Sequence, residues 1–586
     1  MTICVGEVIA VEGTKVSIRI FEESNRDTLY YNGERYKGVS IREYLSIQRG
    51  FRDIICLVQG EYLDERRFHE DPTQKFFDRR VDVKPIGYLE QGEFKEGIKY
   101  LPMIKDQTFL IKEEVVTAIY TRKSGGLRIG KLLKEEISIE LPWQSLFNTH
   151  IGIFGNTGSG KSNTLTMLYT ALFGKKADQL RNKSHFAILD FNGEYTTDQF
   201  LPANRKNIFR LSTGNVAGDT FPLPPSEFWS ADILSILFQA TANTQRPFLN
   251  RIVNGRNKFQ ANNNSLNNYL RKIFEETFSD NAKKPESLDL LRRVAALLGA
   301  QNLENTLKQT KWVGGQANTF VINQTYFNGD GLGYAQILSV DVNNIDCSHL
   351  DAFDELILRS HLQLTQDLNS GFVQFEHIQP LLKRAEAALV HLRKVLTIGE
   401  AQPDDKILTV ISLRNCNQEV KKILPLLIAK HYYSTHRNTV SSPPDRTMHL
   451  IIDEAHNILS DQSTREHEAW RDYRLELFEE IIKEGRKFGM FLTLSSQRPA
   501  DISPTIVSQL HNFFLHRLVN ERDLFLIDNT ISTLDSMSKA MIPNLPKGCC
   551  IVTGTSFDLP MTLQVDRLEQ SKQPDSEDVD LFKLWI

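Results

Sequence analysis

The chain has 586 residues, 41% hydrophobic and 24% charged, with a formal net charge of −4. Its length exceeds one hydrophobic core and sets an expectation of about three to four domains, with a composition typical of folded globular proteins. The slight acidic excess excludes a global basic field for nucleic acid, so any DNA contact must be a local basic lining, such as a pore.

The opening residues, MTICVGEVIAVEG, contain no basic leader followed by an apolar run. No window reaches the roughly 18 apolar residues of a membrane span. The six cysteines are scattered and form no CxxC pair, which argues for a reducing compartment and against a disulfide framework or zinc ribbon. The expectation is a cytoplasmic chain with no membrane partner. Cys549 and Cys550 read as buried small hydrophobes near a strand start.

Residues 1–125 read as short strands: "GEVIAVEGTKVSIRI" around a Glu12-Gly13 turn, then "DIICLVQGEYL" and "VDVKPIGYLEQGEFKEGI". Alternation broken by Gly-centred turns predicts a small β-barrel, with a β-sandwich as the alternative. Residues 126–220 begin an α/β domain: strand "HIGIFG", a helix over Lys161–Phe173, strand "HFAILDF". That order is a βαβ unit and implies a parallel sheet with helices on both faces. The sheet is expected to resume over 401–560 with "ILTVISL", "MHLIIDE", "MFLTLSSQ" and "CCIVTG". Between the two halves, residues 221–400 repeat a helical period and read as an inserted helical subdomain, since a crossover of about 200 residues is far too long. The Asn-rich "ANNNSLNN" reads as a loop or helix cap within it. Residues 561–586 form a polar, acidic tail, either disordered or packed on a neighbouring subunit.

The stretch Gly155-Asn156-Thr157-Gly158-Ser159-Gly160-Lys161-Ser162 matches the phosphate-loop pattern in full, between a strand and a helix. Glycines let the backbone N–H groups and the helix N-terminus face an anion. Lys161 can reach the β- and γ-phosphates and Ser162 can ligate Mg²⁺. These residues, with Asn163, are the expected contacts of ATP. "LIIDEAH" delivers Asp453 and Glu454 to the C-terminal edge of a buried strand, where ligands bind in parallel sheets. Asp453 would hold the Mg²⁺ shell and Glu454 would polarise the attacking water. In "ILDFNGEY", Glu194 is either a second acid at the water or metal, or a surface carboxylate on a Gly turn. Gln497 ends the next strand, as a γ-phosphate sensor or a polar terminus. Arg486, in "EGRKFG", suits an arginine finger reaching a neighbour's nucleotide, or a solvated basic turn.

Taken together, "GNTGSGKS", "DFNGEY", "LIIDEAH", "EGRKFG" and "SQRP", in that order behind a β-rich region, resemble the HerA family of HerA/FtsK-type hexameric ATPases. The resemblance implies an N-terminal barrel like that of ATP synthase subunits, a RecA-like motor core and a helical insertion. It also implies a homo-hexameric ring that moves double-stranded DNA through a central channel. Lys161 and Ser162 would bind phosphate and Mg²⁺, Asp453 and Glu454 would act as metal-holding and catalytic acids, Gln497 as sensor and Arg486 as trans finger. The family further implies an effector partner, a nuclease or a sirtuin-like NAD-cleaving protein docked on the barrel. Its settings are DNA-end resection and anti-phage defence, and family habit points to defence. "SLFNTHIG" departs from relatives that carry an arginine before the phosphate loop, and "SDQSTREHEAWRDY" reads as an enlarged charged loop.

Two other readings stay open on sequence. An ATP-dependent assembly scaffold needs the same nucleotide site. A small-molecule kinase or GTPase-like switch is disfavoured by the distant acidic pair, the finger candidate and the lack of an NKxD-like motif. For DNA contact, Arg246, Arg251, Arg256 and Lys258 in "TQRPFLNRIVNGRNKFQ" either present charge to a channel or form the basic face of an amphipathic helix.

Overall fold

A computed structural model of the chain describes residues 3–585 apart from 32, 68–74, 121–124, 217, 260–263, 281–282, 316, 401–405, 463–467 and 576–580. The middle of the charged loop after the acidic strand, the start of the Asn-rich stretch and part of the tail therefore lie outside the described residues. Two compact units emerge, Met1–Gln179 with Phe491–Ile586, and Leu180–Met490.

In the first unit, alternation becomes a barrel. Strands Lys15–Ile20, Cys4–Glu12, Gln107–Leu110, Tyr44–Arg49, Arg52–Arg67 and Lys75–Glu90 pair in that order, and the last returns to the first, closing six strands. Every second side chain turns inward, so Val16, Ile18, Leu45, Ile47, Val81 and Val83 fill the interior. Closure leaves no open edge among these six strands, and the sandwich alternative falls away.

The same unit carries a mixed sheet. The strand Ile151–Phe154 lies parallel to both Met490–Ser496 and Asn512–Leu515. Beyond them the sheet turns antiparallel through Cys549–Gly554, Met561–Val565, Leu127–Leu132 and Ser138–Leu141. An all-parallel sheet was the simplest reading of the βαβ pattern; the antiparallel wing comes from strands joined by short connections, which the helical crossover rule does not cover. Met561–Val565, expected in the tail, is a buried strand of this wing. Cys549 and Cys550 are buried at the start of their strand, as expected.

The second unit has a parallel set of strands, Thr447–Ile452, Ser184–Asp190, Leu408–Asn415 and Lys206–Ser212. The last is interrupted by Lys206, Asn207 and Arg210 and lacks the apolar run that makes the other three stand out in the sequence. Between Lys206–Ser212 and Leu408–Asn415 the chain inserts the helical subdomain. Its helix Ser265–Ser279 buries Leu266, Leu270, Ile273, Phe274 and Phe278, one stripe at helical spacing. Helix Ala352–Asn369 starts where the Asp351 carboxylate accepts the Asp354 N–H at 2.7 Å. Together with Pro285–Leu297 and Gln301–Gln309 they enclose a core of Leu291, Val294, Leu307, Leu358 and Leu362. Among the described residues no helix is long and apolar enough to cross a membrane.

Candidate active site

In the first unit, an apolar strand, Ile151–Phe154, runs into the loop and then into helix Lys161–Leu180. The loop is held by the backbone. The Gly155 N–H donates to Ser496 O at 3.3 Å, the Asn156 N–H to Arg517 O at 2.9 Å, and the Gly548 N–H to Ser159 O at 2.9 Å. Gly160 has a φ of +111°, and a Cβ there would lie 2.9 Å from the Gly548 Cα. Backbone therefore passes where a side chain would stand, and this is the glycine the phosphate loop cannot replace. Gly158, at φ +71°, makes the preceding turn.

The Lys161 side chain is buried and its Nζ lies 3.4 Å from Asn156 O, folded over the loop it would share with a phosphate. His516 sits behind it, fully buried. Burial first, and the Lys161 charge second, push its imidazole down to about 3, so it is neutral and adds no competing cation. Sequence reading passed over His516, which ends the run "FFLH" without any motif. Thr157 donates its hydroxyl hydrogen bond to Gln497 Oε1, so the sensor candidate touches the loop itself. Asn163, counted with the nucleotide contacts on sequence, donates its amide to Asp566 O at 3.1 Å. In this structure it ties the helix to the segment after Met561–Val565.

In the second unit, strand Thr447–Ile452 delivers Asp453 and Glu454. Asp453 is 2% exposed; its Oδ2 accepts the Tyr195 hydroxyl at 2.9 Å and its Oδ1 the Glu454 N–H at 3.0 Å. Burial and the Asp453 charge hold the Tyr195 phenol well above its usual range, so it stays a donor. Glu454 has a φ of +49°, a left-handed conformation that costs a non-glycine residue about 1–2 kcal/mol. Strain of this kind concentrates where a side chain must be aimed. The Glu454 carboxylate lies 3.3 Å from His456 Nδ1.

The "DFNGEY" turn is built by Asp190. Its carboxylate accepts the N–H groups of Gly193 at 2.7 Å, Glu194 at 3.1 Å and Tyr195 at 3.1 Å. Burial, then the Asp453 charge, push its carboxyl up to about 6 against those donors. Glu194 is 8% exposed and accepts the Asn192 amide at 3.2 Å, which rules out the surface-carboxylate reading. Tyr195 is the functional residue that motif reading missed; its signal was the last letter of a motif read only for its acids. Tyr195→Phe removes a donor from a buried carboxylate, a bond worth about 1.5–3 kcal/mol. We expect a loss of stability of about 2 kcal/mol, seen in denaturant unfolding, together with a raised Mg²⁺ requirement in an ATPase titration.

Arg486 is exposed on the turn Gly485–Phe488, which Gly489 closes at φ +75°. Phe488 O accepts His436 Nε2 at 2.8 Å, anchoring the turn, while the neighbouring Lys487 pairs with Glu484 at 2.7 Å. The basic helix Gln245–Phe259 has a different fate. Arg246 pairs with Asp232, Arg251 with the buried Asp367 at 2.8 Å, and Arg256 with Glu355 at 3.3 Å. Three of the four cations read as DNA contacts thus carry ion pairs inside the subdomain.

A glycine-wrapped loop between a buried parallel strand and the N-terminus of a 20-residue helix defines a P-loop ATPase. Residues 127–323 match the family model "Helicase HerA, central domain". The DNA double-strand break repair helicase HerA of Sulfurisphaera tokodaii is 23% identical, over 78% of this chain and 72% of its own. That of Pyrococcus furiosus is 22% identical over 86% and 81%, and the probable helicase MJECL08 of Methanocaldococcus jannaschii 22% over 83% and 79%. Among solved structures, the plasmid coupling protein TrwB in complex with ADP and Mg²⁺ is 13% identical over 79% of this chain and 94% of its own, with a TM-score of 0.43. Over residues 127–323 the chain is thus similar to the HerA central domain, and over most of its length to the HerA helicases.

Proposed function

We propose that the protein is an ATP-driven motor that assembles as a homo-hexameric ring, moves along double-stranded DNA and hands that motion to an effector. The observation that carries the hydrolytic part is Glu454, held in a left-handed backbone beside an Asp453 whose two oxygens are already fixed by Tyr195 O–H and Glu454 N–H. Phosphate would be held by Gly155, Asn156, Thr157, Gly158, Ser159, Gly160 and Lys161. Ser162 and Asp453 would each offer a hard oxygen donor of the kind Mg²⁺ prefers. Mg²⁺ would supply charge neutralisation for the departing phosphoryl group. Glu454 orients and deprotonates water, Gln497 reports through Thr157 on the state of the loop, and Glu194 stands as a buried reserve acid. Asn163 serves the helix rather than the nucleotide.

Action on DNA is supported by the relatives' names as repair helicases. An exposed Arg486 on an anchored turn would suit a finger for a neighbour's site, and this supports ring assembly. The barrel exposes Phe51, Met103 and Ile104, apolar surface of the kind that marks a docking face. There we place the effector, a nuclease or a sirtuin-like NAD-cleaving protein, with anti-phage defence as the setting. The ion-paired arginines of Gln245–Phe259 favour a second reading, an ATP-dependent scaffold that activates the effector with little translocation.

Titration of double-stranded DNA into an ATPase assay separates the two. The motor reading expects stimulation by DNA alone; dependence on the effector with no response to DNA would leave only the scaffold. Mixing Arg486→Ala with Lys161→Ala subunits tests the ring. Each variant alone is expected to be nearly inactive, because an arginine finger is worth about 10³–10⁵ in rate, while the mixture regains turnover at sites where an intact loop meets a neighbour's Arg486. No recovery in the mixture would remove Arg486 from the neighbour's site.

A further inference from the structure

The helical subdomain carries an open cavity of about 390 Å³, bordered by helices Gln245–Phe259, Ser265–Ser279 and Ala352–Asn369. Its volume lies in the range of small-ligand sites. Its walls contrast with the rest of the chain. The protein as a whole is acidic, yet among the described residues the cavity is lined by Arg256, Lys272 and Arg359 and by no aspartate or glutamate. Behind the wall, the Glu355 carboxylate meets both Arg256, at 3.3 Å, and Arg359, at 2.7 Å. One negative charge between two guanidiniums leaves an uncompensated positive charge at the wall. The Lys272 side chain is 58% exposed, and its Nζ lies 3.5 Å from the likewise solvent-facing Glu276 carboxylate one helical turn on, a pair that water screens and a phosphate can displace.

Two aromatic rings complete it. Phe259 is 53% exposed, unusual for so apolar a side chain, and Tyr269 lines the opposite helix. The Tyr269 hydroxyl bonds to Gln363 Oε1 at 3.2 Å and to Gln366 Oε1 at 3.0 Å, which fixes the rotamers of both amides. Gln363 spends its nitrogen on Asp367 at 2.9 Å. The Gln366 nitrogen and the exposed Asn268 amide are left to face a ligand. Flat rings for stacking, amides that can pair with a heteroaromatic edge, and cations for phosphate are the set that recognises a nucleotide. A base within a duplex is covered on both faces by its neighbours and cannot stack on a side chain.

We propose that this cavity binds a nucleotide presented singly, with its base against Phe259 and Tyr269, its edge toward Asn268 and Gln366, and its phosphate toward Lys272 and Arg256. An unpaired DNA strand and a free mononucleotide share that chemistry. The site is separate from the phosphate loop and does not rest on the motor reading, because it needs no ATP.

The test uses the full chain without ATP. Fluorescence anisotropy reads binding of a labelled oligothymidylate, and isothermal calorimetry reads binding of thymidine monophosphate, for wild type, Phe259→Ala and Lys272→Glu. Loss of one stacking ring is expected to weaken binding about tenfold, and charge reversal at Lys272 to weaken it further and flatten its salt dependence. Both side chains are exposed, so unchanged melting temperatures are expected and are checked. Losses with the oligonucleotide assign the cavity to unpaired DNA; losses confined to the mononucleotide assign it to a free nucleotide. Wild-type affinity of both variants for both probes, or no binding of either probe by wild type, overturns the proposal. DNA-stimulated ATPase is measured on the same samples: its absence from wild type counts against the motor and leaves the cavity result standing.

Discussion

Glu454→Gln is expected to bind ATP with close to wild-type affinity while its steady-state turnover falls about 10³-fold, within the range for loss of a general base. The amide keeps the shape and the left-handed backbone of the glutamate but cannot accept a proton. The structure makes the substitution clean, because the Asp453 oxygens are held by Tyr195 and by the backbone N–H of residue 454, not by its carboxylate. Nucleotide binding by calorimetry and phosphate release by a coupled assay separate the two effects. Normal turnover would move the base role elsewhere, and Glu194, buried on the "DFNGEY" turn, would be the next residue to replace.

Lys161→Ala is expected to abolish turnover and to weaken ATP binding by about ten- to a hundredfold. A charge-assisted hydrogen bond to phosphate is worth about 1.5–3 kcal/mol in binding, and loss of a cation that stabilises developing charge costs a further ~10²–10³ in rate. The fold should survive, since the lysine's recorded hydrogen bond is the long one to Asn156 O at 3.4 Å. One further consequence distinguishes loss of phosphate binding from general damage. His516 is held down partly by the Lys161 charge, so its imidazole should rise when the lysine is removed, while burial still keeps it neutral near pH 7. Wild-type turnover in Lys161→Ala would show that the loop is not the site of hydrolysis.

Much of the protein was legible because its signals are local. The phosphate loop is eight contiguous residues whose glycines answer to backbone geometry, and alternation at period two carried the barrel strands into the fold nearly unchanged. The helical stripe of Leu266, Leu270, Ile273 and Phe274 marked the insertion in the same way. The strands Lys206–Ser212 and Met561–Val565 were not legible, because polar residues interrupt the apolar run of both and the neighbours each pairs with make it a strand.

Runs of consecutive residues set the chemistry on offer: a loop shaped for phosphate, a pair of acids at a strand end, a cation on a turn. Those are properties of consecutive residues, and covalent geometry with local hydrogen bonding suffices to express them. How the polar groups are spent depends on the fold. It set Tyr195 against Asp453 across 258 positions and Arg251 against Asp367 across 116, turning one neglected residue into a positioning group and one candidate DNA contact into an internal ion pair. The physical reason is that a buried charge must find a partner wherever the fold brings one, and distance along the chain carries no record of that choice.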